Sequence, residues 1–351
     1  MSEKMAPLPV LGPGRPVADD MPHNRGADTL KFLLIPFICF WSFGFPDGQG
    51  IVSSLSGFAV PAFFILSGYF VLGQDKDVRR VKMKRAIRRA FITFAVMFVC
   101  YFAINIALMT ADGVNWREGL LSKRILFNFL VLNVWPFAVG SNIWFIQSLL
   151  YAYIFLLIVN RWARPWFYKT LMVLSMLFMI AAGELAAVLN FHILDYAYIP
   201  GGAVTRALPY VLLGMLLREK TKRLKAVRGW VYLLIFALGA GMAFGEIYGL
   251  SLMDKLVYQR HMVGYGVMAA AACAWAVSRP AMKRTVCSVH GQSYAKRAYA
   301  LANPLYYGML IVTSMTARRY MEIVSLFAGI IVYLLCMVIS ALITAVKRQT
   351  L

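Results

Sequence analysis

From Phe58 to Phe70 the chain is almost wholly apolar, and a few residues later it turns densely cationic: Lys76, Arg79, Arg80, Lys82, Lys84, Arg85, Arg88 and Arg89. An apolar span that stops against a block of cations has the form of a membrane helix meeting the cytoplasm. The pattern repeats. Apolar windows of about 20 residues, the length that crosses a bilayer as a helix, recur along most of the sequence. Hydrophobic residues make up 61% of the chain and charged residues 15%, against about half and about a quarter in a soluble domain. Alternating ten-residue segments of the outer-membrane barrel kind are absent. The expected fold class is all-α, a polytopic transmembrane helical bundle.

Ten spans are read, at 30–46, 54–73, 90–110, 142–160, 168–189, 203–217, 229–248, 261–278, 299–316 and 323–346. The stretch 125–139 is apolar but short, and it carries Asn128, Asn133 and Pro136. Charge decides how it is counted. If it does not cross, 28 of the 36 cations fall in segments on one side, 7 on the other, and Arg206 lies within a span. If it crosses, three basic runs move to the outside, against the positive-inside bias. Ten crossings with both termini cytoplasmic are therefore expected, with 125–139 re-entrant or interfacial and covered by protein. The net charge of +21 then reports topology and attraction to anionic membrane lipid, and not a nucleic-acid partner.

Residues 1–28 are punctuated by seven prolines and glycines between Pro7 and Pro22 and have no apolar core. They read as a disordered cytoplasmic tail and not a signal peptide, leaving 29–347 as one transmembrane domain. Cys39, Cys100, Cys273, Cys287 and Cys336 show no paired spacing, which argues against a metal site or disulfides. Phosphate-loop, nucleophile-elbow and zinc-protease signatures are missing. Charged residues inside spans are costly and are candidates for function. Arg206 is the foremost of these, with Glu184, Glu246 and Gln147 behind it. His192 and His261 fall at outer helix ends, as interfacial polar residues or as part of a pocket on that side.

Five pieces occur in order with compatible spacing: Leu30-Lys31-Phe32, Val60 to Tyr69 (VPAFFILSGY), Arg85-Ala86-Ile87-Arg88, Asn142-Ile143-Trp144-Phe145, and Arg206 to Met215 (RALPYVLLGM). Together they resemble the acyltransferase 3 family of integral-membrane O-acyltransferases, from about residue 28 to 345. The resemblance implies an arginine in the first helix and a histidine eleven residues on, acting as base or acyl relay. Lys31 and Ser42 occupy those positions here. A late histidine-proline of the family is matched by Asn303-Pro304. The resemblance assigns Arg85 and Arg88 to the phosphates of an acyl-coenzyme A donor, acetyl-coenzyme A foremost. Trp144 is implied to line the cavity or to belong to an interfacial aromatic belt. The acceptor implied is a hydroxyl of a cell-surface glycan or glycolipid, and the location implied is the plasma membrane. The alternative is a non-catalytic member that moves or assembles a glycan or lipid-linked precursor, because histidine is absent from both positions.

Overall fold

The computed structural model describes residues 24–47, 50–72, 76–111, 113–115, 117, 122–131, 133, 141–162, 164–181, 203–253, 262–316 and 318–349. Every regular element among them is helical. Helix α1 (Arg25–Phe43) begins inside the expected tail: Asn24 caps it, its side chain accepting from the Ala27 N–H at 3.0 Å. Its first polar residues are used locally, since Asp28 pairs with Lys31 at 2.9 Å. Such a start satisfies a donor that would otherwise be orphaned. Residues 1–23 lie outside the described residues.

A short helix α2 (Ile51–Leu55) and one 3₁₀ turn lead into α3 (Ala59–Leu72). Helix α4 (Lys76–Ala111) has 36 residues, a length of about 54 Å. The hydrocarbon core is about 30 Å thick, so its basic first turns extend beyond the apolar layer. Helix α5 (Lys123–Leu130) has eight residues and is about 12 Å long, too short to cross. It rests on α6 (Trp144–Val159), whose Gln147 donates to the Phe129 carbonyl at 2.7 Å and whose Tyr151 hydroxyl donates to the Leu130 carbonyl at 2.7 Å. Then come α7 (Pro165–Ile180), α8 (Ala203–Glu219), α9 (Thr221–Lys225), α10 (Gly229–Leu252), α11 (Val263–Val277), α12 (Val286–Thr316), α13 (Met321–Leu326) and α14 (Ala328–Gln349).

Among the described residues a helix overlaps each of the ten expected spans. Five helical stretches, Arg25–Phe43, Ile51–Leu72, Lys76–Thr110, Gly229–Leu252 and Ala328–Val346, are long and apolar enough to cross a membrane, and α6, α7 and α11 are apolar but shorter. Burial divides them. The Ile51–Leu72 stretch sits in the centre, 72% buried, whereas α4 and α10 are 17% buried and present Phe91, Val96, Val99, Leu233 and Leu238 outward. An outward-facing apolar surface is what a helix in lipid requires.

Close packing at the centre depends on two glycines. A Cβ on Gly68 of α3 would overlap the Val211 carbonyl of α8, and a Cβ on Gly214 of α8 would overlap the Ile65 carbonyl of α3. The reciprocal notch lets the two backbones touch, the usual way helices associate in lipid. Helices α1 and α12 run parallel. Phe32 lies against Tyr294 with ring centroids 6.0 Å apart, and Phe43 stacks on Tyr306 at 4.6 Å.

Side-chain contacts gather the basic helix ends together. Arg79 at the start of α4 donates to the Asn160 side chain at 2.9 Å and lies 4.9 Å from the Tyr168 ring. Arg218 at the end of α8 lies 5.1 Å from the Tyr69 ring at the end of α3. Arg297 of α12 donates to the Ser340 carbonyl and the Thr344 hydroxyl of α14, both at 2.7 Å. The cation-rich segments of the sequence therefore share one end of the bundle, here termed the basic end.

Candidate functional site

Lys31 and Ser42 are eleven residues apart on α1, about three turns plus 20°. They share a stripe of the helix at depths about 16 Å apart. This stripe lies between two packed faces. On one side Leu30, Leu34, Phe37 and Trp41 join the central core. On the other Ile35 and Cys39 pack with Ala298, Ala302, Val332 and Cys336. Helix α3 has a matching stripe. Every residue from Ala59 to Leu72 is buried except Phe63, Ser67, Phe70 and Val71. Phe63, Ser67 and Phe70 are spaced by four and three, so they line one helix face. Lys31 meets that face, its ammonium 4.4 Å from the centre of the Phe70 ring. Lys31 thus meets α3 at Phe70, while Phe63 on the same face lies against Phe145 of α6.

At the basic end the surroundings of Lys31 are cationic. Lys31 keeps 13% of its side chain accessible and Asp28 4%, a nearly buried pair. The Lys296 ammonium, in the basic foot of α12, lies within electrostatic reach of Lys31, Arg89 and Asp28. Partial burial first, and then Lys31 and Arg89, hold it below the ordinary lysine range, with Asp28 opposing. Arg85 is half-buried and Arg88 exposed. Although three residues apart, the two expected phosphate ligands present themselves differently. Arg79, from the same basic run, is a structural clamp: Asn160, which it bonds, also accepts from the Tyr168 hydroxyl at 2.9 Å.

The far end is built around α12. By the parallel register of α1 and α12, Asn303 lies within about 3 Å of the depth of Ser42. Asn303 is 2% exposed and shares a helix face with Tyr299 and Tyr307, which pack toward Tyr101, Ile143 and Ile146. Ser42 is exposed. Among the described residues no hydrogen bond joins the two. Pro304 has no N–H to offer the Ala300 carbonyl one turn back, and the Tyr101 hydroxyl of α4 donates to that carbonyl at 2.9 Å. Asn142 donates to the Tyr299 carbonyl at 2.7 Å, and the Tyr299 hydroxyl donates in return to the Asn142 carbonyl. The expected Asn142-Ile143-Trp144 piece is thereby fixed to α12.

Arg206 and Trp144 are brought together. Arg206 is 7% exposed, and its guanidinium lies 4.8 Å from the Trp144 ring centre. Trp144 thus takes part in an inward-facing cation–π contact and is not a lone interfacial ring. Three buried amide oxygens lie in this region, on Asn133, Asn142 and Gln147, and none accepts a bond among the described residues. Their amide nitrogens are engaged, Asn133 with the Trp144 carbonyl at 3.1 Å and the Ser148 hydroxyl at 2.6 Å. Glu246 has a local duty: both carboxylate oxygens lie 3.3 Å from the Gly264 N–H at the start of α11, where a carboxylate suits the helix dipole. His192, His261 and Glu184 lie outside the described residues. His290 is the one histidine among the described residues, and it stacks on Tyr294 at the basic end, with centroids 5.7 Å apart. Among the described residues, no imidazole accompanies Ser42.

Tyr101 lies within an apolar span, and nothing in the sequence marks its bond to the Ala300 carbonyl of α12.

The helical bundle, with its apolar outward faces and its cationic end, has the build of a membrane protein. A family model described as an acyltransferase domain matches residues 24–346, and the chain belongs to that family, acyltransferase 3. Its membership makes it a membrane acyltransferase by class. No curated protein and no solved structure matches the chain.

Proposed function

We propose that the protein transfers an acyl group, acetyl foremost, from acyl-coenzyme A to a hydroxyl of a cell-surface glycan or glycolipid. The observation that carries this is the family match over residues 24–346, supported by cations suited to phosphates at the basic end and by three buried amide oxygens, on Asn133, Asn142 and Gln147, that accept no bond among the described residues. The donor enters from the cytoplasm at Lys31, Arg85 and Arg88. The acceptor hydroxyl oxygen attacks the thioester carbonyl carbon. The C–S bond breaks, an ester forms, and the hydroxyl proton leaves with the thiol of coenzyme A. Ser42 and Asn303 can each donate a hydrogen bond to the carbonyl oxygen as charge develops on it. Neither removes a proton near neutral pH, and that task falls to His192 or His261 in a working enzyme. Ten crossings in the plasma membrane, with both termini cytoplasmic, complete this proposal.

A second reading is favoured by one observation. Ser42 and Asn303 stand where the family resemblance implies histidines, and His290 lies at the opposite end. A non-catalytic member would bind and move a glycan precursor without turnover. The protein in nanodiscs, given radiolabelled acetyl-coenzyme A, separates the two. Release of coenzyme A stimulated by a candidate glycan is expected. Glycan binding without any release supports the second reading. In the active case, Arg85→Ala is expected to weaken the donor more than Arg88→Ala, roughly tenfold for a lost charge-assisted bond, because Arg85 is half-buried and Arg88 exposed.

A further inference from the structure

We infer that the turn between α6 and α7 docks the headgroup of an anionic phospholipid, with Arg161 and Arg164 on its phosphate and Trp162 and Trp166 beside them at the membrane surface.

The apolar faces that lead into the turn set its depth. On α6 the outward residues Ile154 and Ile158 are exposed, and four positions further on comes Trp162, 70% exposed. Steps of four keep to one face of a helix. On α7 Val173, Leu174, Leu177 and Phe178 are exposed, and the same face begins at Trp166, 62% exposed. Two stripes that face lipid therefore each end in an indole. An indole, apolar with one polar N–H, settles at the headgroup level where such a stripe meets water.

Charge decides what lies against the turn. Arg161 and Arg164 alternate with the indoles and are exposed. The Arg161 guanidinium lies 5.8 Å from the Trp162 ring centre. Among the described residues neither guanidinium has a hydrogen-bond or ion-pair partner. The sequence offers no carboxylate nearby, since no acidic residue occurs between Glu118 and Glu184. Lys169 differs, with Glu219 at 3.6 Å. Two uncompensated guanidinium forks at headgroup depth complement a phosphate, and an anionic headgroup more than a zwitterionic one.

The turn is braced from behind. Lys76 of α4 donates to the Arg161 carbonyl at 3.0 Å, and the Asn160 amide donates to the Lys76 carbonyl at 3.4 Å. Arg79 donates to the Asn160 side chain at 2.9 Å. These bonds engage the Arg161 backbone and the Asn160 side chain, and they leave both outer guanidinium groups unused. A headgroup held here is coupled to the start of α4.

The test uses the full chain in nanodiscs of mixed phosphatidylglycerol and phosphatidylcholine, with bromine on one lipid at a time to quench tryptophan emission. Stronger quenching by brominated phosphatidylglycerol is expected in wild type. Trp162→Phe with Trp166→Phe is expected to remove most of that excess. Arg161→Gln with Arg164→Gln keeps both indoles and is expected to cut the preference for phosphatidylglycerol, roughly fivefold per arginine removed. Lys222→Gln with Arg223→Gln takes the same charge from exposed positions of α9 and is expected to leave the preference unchanged. Equal quenching by the two lipids in wild type overturns the proposal. So does an equal loss in both charge-reduced variants, which would reveal only the general field of the basic end. Excess quenching that survives the loss of both tryptophans overturns it as well, by placing the lipid elsewhere. Loss of the excess on adding coenzyme A would give the two arginines to the donor instead.

Discussion

Tyr101 carries one hydroxyl into the apolar interior, and Pro304 is the reason it can stay there. Proline breaks the ladder of α12 by withholding an N–H from Ala300, and in lipid a carbonyl left bare is expensive. Tyr101, 1% exposed, supplies the missing donor from α4. Tyr101→Phe is expected to lower stability by about 1–2 kcal/mol, seen as earlier thermal unfolding in detergent. Tyr101→Phe combined with Pro304→Ala should recover most of the loss, since alanine restores the helical bond. An uncorrected double variant would show that Tyr101 acts through packing alone. The pairing was illegible in the sequence because the partners are 199 positions apart. Pro304 itself was legible, as part of a family-like piece. Lys31 and Ser42 were legible as a pair by spacing, while the exposure of one and near burial of the other are decided by α3 and α12.

At the scale of elements, the family-like pieces have two physical meanings. Gly68 and Gly214 belong to the pieces in α3 and α8, and both serve packing. Lys31 and Arg206 belong to pieces that place charge inside the bundle. Resemblance alone does not separate these roles. Gly68→Leu and Gly214→Leu are each expected to abolish the monodisperse folded species in size-exclusion chromatography, because each side chain would meet backbone. Gly241→Leu is the control: a Cβ on Gly241 of α10 meets nothing within 4 Å. If all three variants behave alike, contact between α3 and α8 is not what holds the centre. The positions of the helices were legible from apolar length. Their partners were not: α3 is apolar on every face, so its contact with α8 leaves no pattern in the sequence.

Taken as a whole molecule, the chain is oriented by its charge. Contacts of Arg79, Arg218 and Arg297 draw the starts of α4, α7 and α12 and the ends of α3, α6, α8 and α14 to one end. Those segments account for most of the 28 cations expected on one side. Translocation of so many short basic segments is disfavoured, so the basic end is expected to be cytoplasmic. The segment 125–139 is the point on which the count turns, and the described part, α5, is about 12 Å long and leans on α6. Helix α5 alone is too short to cross, so the segments after it are expected to keep their sides. Lys222, in α9 between α8 and α10, reports the result. With the five native cysteines replaced and Lys222→Cys introduced, a membrane-impermeant maleimide should label intact cells poorly and permeabilised cells fully. A second cysteine at Arg319, on the other side of α12, should give the opposite pattern. Labelling of Lys222→Cys from outside would overturn the orientation, and with it the entry of a cytoplasmic donor at the basic end. Equal labelling of both sites in intact cells would show that α10, α11 and α12 do not make three crossings between them, which overturns the ten-span topology.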